Sequence, residues 1–64
     1  MDKNLEFLIN EYKDRMEYLA KSLAQGSVAT IEEYRYICGQ IRGLESACAV
    51  IIDLKNRMEK SFDD

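Results

Sequence analysis

The stretch LAQGSVATIEE, Leu23 to Glu33, decides how this chain folds, because one apolar stripe ends inside it and another begins there. Gly26 follows the last apolar residues of the first stripe. It stands where a helix commonly closes on a left-handed residue, a conformation glycine adopts without a Cβ penalty. Thr30 stands three residues before Glu33, the spacing at which a hydroxyl and a carboxylate cap each other's backbone N–H groups at a helix start. Glu32 and Glu33 also place negative charge in a first helical turn, where the helix dipole favours it. The sequence therefore predicts a helix over about residues 3–25, a connection of about five residues, and a second helix over about 31–60. The expected fold is all-α, an antiparallel two-helix hairpin forming a single domain over residues 1–64.

Working outward, Leu5, Ile9, Tyr12, Met16, Leu19 and Leu23 alternate spacings of four and three, which puts them on one seam of a helix, widened by Leu8 and Ala20. Glu11 with Arg15 and Glu17 with Lys21 lie at i, i+4 on the other side, a solvated face with about 0.2–0.5 kcal/mol available per pair. Beyond the connection, Tyr34, Ile37, Ile41, Leu44, Cys48 and Ile51 form a seam of matching length. Ala47, Ala49, Val50, Ile52 and Leu54 then spread apolar surface around nearly the whole circumference. A helix apolar all round is normally buried all round, which one neighbouring helix cannot achieve.

The two stripes also differ in length. Folded back on each other they bring Leu5 near Ile51, and Leu54, Met58 and Phe62 overhang with nothing in the same chain to bury them. The hairpin is thus expected to be completed as a four-helix bundle or by docking on a larger protein. The bland alternative for the overhang is a frayed tail. Lys55, Arg57 and Lys60 suit the C-terminal end of a helix in either case.

Size argues for association as well, since a domain of 64 residues buries only roughly 60% of the surface of its unfolded chain. Disulfides or a metal are the usual supplements, but Cys38 and Cys48 sit ten residues apart on one helix, about 15 Å by helical rise, too far for an intrachain bridge. The chain has no histidine, and two separated thiols do not make a tetrahedral metal site. No cofactor is expected. A net charge of −3 argues against general nucleic-acid binding, which relies on clustered Lys and Arg; Arg35 and Arg42 share a face but make no stripe. No apolar run reaches the length of a membrane span, and the start lacks the pattern of a signal peptide. Free cysteines buried in a helix fit a reducing, cytosolic setting.

Gly39, Gly43 and Ala47 recur every four residues, and small side chains at that spacing let another helix backbone approach closely. Each internal glycine costs about 1 kcal/mol of helix stability relative to alanine, so the pair needs a packing reason. Two readings stand: an approach between helices across a subunit interface, or room made within the chain for Tyr12, Tyr18 or another large side chain of the first helix. With the overhang, the candidate interface comprises Gly39, Gly43, Ala47, Val50, Leu54, Met58 and Phe62.

The run Ile37-Cys38-Gly39-Gln40-Ile41-Arg42-Gly43-Leu44-Glu45-Ser46-Ala47, followed by Val50-Ile51-Ile52-Asp53-Leu54 and a charged tail, resembles the C-terminal half of small helical accessory proteins encoded by tailed bacteriophages. The resemblance covers about a third of the chain. It implies a viral origin, a compact accessory role, and residence in the host cytoplasm or the virion. It transfers no catalytic residue.

An enzyme is not expected. There is no histidine to act as base and no glycine-rich loop after a strand, and Ser22, Ser27, Ser46 and Ser61 lack triad partners. Tyr12 and Tyr34 lie on the seams and are expected to pack there, whereas Tyr18 and Tyr36 are the candidates for outward contact. Two functions remain: a structural or accessory component of a phage particle that works through helix–helix contacts, or a small host-directed module that inhibits or redirects a bacterial protein.

Overall fold

A computed structural model describes residues 2–63, with side chains described as far as Lys60. It contains two helices, α1 (Lys3–Ala24) and α2 (Ile31–Asp63), packed along each other as a hairpin. Helix α1 starts where Asp2 caps it, its Oδ1 accepting from the N–H groups of Asn4 at 2.8 Å and Leu5 at 3.3 Å. This cap satisfies two of the donors that a helix start leaves without intrahelical partners.

The end of α1 follows the logic read from Gly26. That residue takes φ +71°, its N–H donates to the Leu23 carbonyl at 3.2 Å, and the Ser27 N–H donates to the Ser22 carbonyl at 3.3 Å. These two bonds form a Schellman closure. The Ser27 hydroxyl adds a third contact, donating to the same Ser22 carbonyl at 2.7 Å. At the start of α2 the Glu33 N–H donates to Thr30 Oγ1 at 3.1 Å, as the spacing predicts. The reciprocal bond reaches one residue further back than the usual capping box, with Glu33 Oε2 accepting from the Ala29 N–H at 3.0 Å. The carboxylate thereby ties the connecting segment, and not Thr30, to the first turn of α2.

Both seams largely meet. Leu5, Tyr12, Met16, Leu19 and Leu23 of α1 are half-buried around Ile9, and Ile37, Ile41, Leu44 and Ile51 of α2 are half-buried around Cys48. Ile9 and Cys48 are the buried hydrophobic residues among those described, at 7% and 5% exposure. Tyr34 departs from the expected seam: it is half exposed, because it lies on the first turn of α2, where α1 is already ending. Leu8 and Ala20 are also exposed and do not widen the α1 seam. On the solvated face Glu17 and Lys21 pair at 3.2 Å, while Glu11 and Arg15 form no ion pair. On α2, Asp53 and Arg57 pair at 3.0 Å. All four paired side chains are largely exposed, so these contacts contribute little to stability.

Helix α2 has 33 residues against 22 in α1, so it runs on by about 16 Å at the helical rise. The molecule measures 53 × 16 × 13 Å with a radius of gyration of 15.2 Å, where a compact chain of this length has about 11 Å. Its accessible surface is 5215 Å², whereas a compact monomer of 7.4 kDa exposes about 4200 Å². The hairpin therefore leaves open about 1000 Å² that a closed fold of the same mass would cover.

The left-handed glycine supplies a direct check on the turn. Gly26→Ala is expected to lower stability by about 1–2 kcal/mol, since an L side chain is disfavoured at positive φ even where space is free. In a domain of this size each kcal/mol shifts the thermal midpoint by about 4–8 °C, which circular dichroism resolves.

Candidate interaction surface

The hairpin leaves Phe7, Leu8 and Tyr18 of α1 and Ile31, Tyr34, Tyr36, Val50 and Leu54 of α2 exposed, and the last three lie along one flank of α2. Val50 is 69% exposed and Leu54 46%, with Tyr36 also exposed and Ala47 half-buried. At about 100° per residue, Tyr36, Gln40, Gly43, Ala47, Val50 and Leu54 share one side of α2, roughly a right angle or more from the seam that faces α1. Their spacings alternate four and three, which keeps a stripe on one bearing; a strict spacing of four drifts by about 40° per step. This geometry separates the two glycines of the predicted small-residue face. Gly43 sits on the bare flank, whereas Gly39 borders a different surface hollow with Tyr34, Arg35, Cys38 and Arg42.

Beside the flank, α1 and α2 border an open groove of about 570 Å³, lined by Asp14, Arg15, Tyr18 and Leu19 from α1 and by Gln40, Gly43 and Leu44 from α2. Its floor is apolar and its rim polar. The sequence singles out Tyr18 with Tyr36 for outward contact, and both are exposed; periodicity does not show that Asp14, Arg15 and Leu19 join Tyr18 in lining this groove. The alternating spacing that begins at Tyr36 was the available signal for the α2 half.

The glycines themselves distinguish the two readings of the small-residue face. A Cβ built on Gly39 or on Gly43 meets no atom of this chain within 4 Å. Neither glycine makes room for Tyr12, Tyr18 or any other described side chain, so accommodation within the hairpin does not account for them. Met58 is half-buried on the overhang, and Phe62 lies outside the residues whose side chains are described. Cys38 is half-buried and Cys48 buried, both as free thiols.

Among the described residues no group of three His, Cys, Asp or Glu side chains converges to hold a metal ion, and no described helix is long and apolar enough to cross a membrane. The chain matches no protein-family model, no curated protein and no solved structure.

Open space around the glycines has a measurable consequence. Gly39→Ala is expected to stabilise the hairpin by up to about 1 kcal/mol through helix propensity, raising the thermal midpoint. A lowered midpoint would place Gly39 in a close contact made by another molecule.

Proposed function

We propose that this chain is a non-enzymatic protein-interaction module that acts through helix–helix contacts, serving as a structural or accessory component of a phage-type particle. The observation that carries the interaction reading is the bare α2 flank, where Val50 and Leu54 stand exposed beside Gly43 on a hairpin with about 1000 Å² of surface in excess of a closed fold. A standard protein–protein interface covers about 800 Å² on each partner. One such contact therefore brings the chain to the surface expected of a compact protein. Covering a Val or Leu side chain stabilises by roughly 1.5–3 kcal/mol, a large fraction of the stability of so small a domain.

The groove offers little to an enzyme. Asp14, Arg15 and Gln40 stand at its rim, exposed to solvent, with no nucleophile and base brought together beside them. The particle role rests on the resemblance carried by residues 37–54. Mass spectrometry of particles purified from the virus that encodes the chain is expected to find it in stoichiometric amounts. Absence from the particles, together with co-purification of one bacterial protein, would replace this role with a host-directed one.

Two further outcomes follow. Sedimentation at micromolar concentration is expected to show a species larger than 7.4 kDa; a monomer of that mass with a cooperative melt that gains no stability from any partner would overturn the interaction reading. Truncation after Arg57 is expected to preserve the hairpin, judged by helicity, and to weaken association, since it removes the end of the candidate interface; Met58 is already half-buried within the chain, contrary to the expectation that nothing there covers it.

A further inference from the structure

We propose that the partner of the bare flank is a second copy of this chain, paired antiparallel, with Leu54 of each copy packed over Gly43 of the other and Met58 directed into the other's groove. This inference rests on the interaction reading above and names its partner. It starts from the distribution of side-chain sizes along the flank. After the larger Tyr36 and Gln40, the stretch of the stripe from Gly43 to Leu54 is small at Gly43 and Ala47 and large at Val50 and Leu54.

An antiparallel pair of helices brings alternate stripe positions together in layers. With the two-fold axis midway between Cys48 and Ala49, Gly43 meets the second copy's Leu54 and Ala47 meets the second copy's Val50. The same two layers repeat on the other side of the axis. Every one of these four layers then holds one small and one large residue, so the helices keep a uniform separation and pack without voids. A parallel pair sets Gly43 against Gly43 and Leu54 against Leu54. That arrangement leaves space at the Gly43 layer and crowds the Leu54 layer.

The same register accounts for the groove and the overhang together. It lays the C-terminal segment of one α2 along residues 37–43 of the other, beside the groove that Leu19 and Gly43 help to line. Met58 lies on the side of α2 that faces this groove. The segment that α1 is too short to cover thus finds its cover at the same stretch where the hairpin is open. The exposed area fits as well: an excess of about 1000 Å² per chain compares with the roughly 800 Å² that each partner contributes to a standard interface.

A size exchange tests the pairing. Gly43→Leu places two large residues in each of the two outer layers, and Leu54→Ala leaves both of those layers without a large residue. Each is expected to weaken dimerisation about tenfold or more in sedimentation equilibrium. The double variant Gly43→Leu with Leu54→Ala restores one large and one small residue per layer, and is expected to recover wild-type affinity to within about threefold. Gly43→Leu meets open space within its own chain, so the hairpin itself is expected to keep its helicity. In the unaltered protein, isotope-filtered nuclear Overhauser spectra of mixed labelled and unlabelled chains are expected to connect Leu54 methyls with Gly43 Hα across the interface. Leu54 and its own mate lie about 17 Å apart along the pair and are expected to give no such contact.

A dimer in which Leu54 instead contacts its own mate, and in which the double variant is no better than the single ones, would overturn the antiparallel pairing while leaving the interaction reading intact. A dimer joining Leu54 to the mate's Tyr36 would overturn the register. A wild-type chain that stays monomeric but gains stability with a defined second protein would overturn self-pairing alone. A stable monomer that gains nothing from any partner would overturn both readings.

Discussion

Two helices cover only one stripe of each other, and the rest of this structure follows from that geometrical limit. Each seam is answered by the other along α1, and there the side chains around Ile9 and Cys48 are withdrawn from water. Beyond that contact no second layer exists. A domain of this length ordinarily closes by wrapping a third element over the remaining apolar surface; this chain spends its residues on extending α2. The result is an elongated body, 53 Å long and 13–16 Å across, with apolar residues displayed on the flank of its longer helix.

Much of this architecture was legible in the sequence, and for identifiable reasons. The turn was legible because Gly26, Thr30 and Glu33 act through local backbone chemistry, which depends on neighbours in sequence and not on tertiary packing. The α1 seam was legible because Ile9, Met16 and their partners recur with one period over five turns. Tyr34 was misplaced because a helical period continues past the point where the opposing helix stops, and periodicity carries no information about the length of the neighbour. The flank was only half legible. Spacing alone grouped Gly39 with Gly43, whereas the helical twist sends them to different hollows. The groove was not visible as a unit, since side chains from two helices line it and no single stripe encodes which of them come together.

Charge is distributed in keeping with this division of surfaces. Glu17 with Lys21 and Asp53 with Arg57 pair within their own helices and remain largely exposed, so they favour helicity locally and leave the apolar flank uninterrupted. The polar groups of the groove, Asp14 and Arg15 from one helix and Gln40 from the other, stand at its rim. An apolar floor with a polar rim is the usual arrangement of a contact surface between proteins, where the centre excludes water and the margin stays solvated. Specific recognition then depends on how well another surface fills the floor.

The unequal burial of the two thiols has a consequence for following the hairpin in motion. Cys38 is half-buried beside a surface hollow of α2, while Cys48 is buried in the seam beneath α1. An alkylating reagent therefore meets them on different clocks: Cys38 reacts from the closed state, and Cys48 reacts once α1 has lifted away. Cys38 serves as the internal standard for reagent and pH, and the lag of Cys48 behind it reports the free energy of opening. The native chain thus carries its own probe of how often its two helices part, with no label or substitution added.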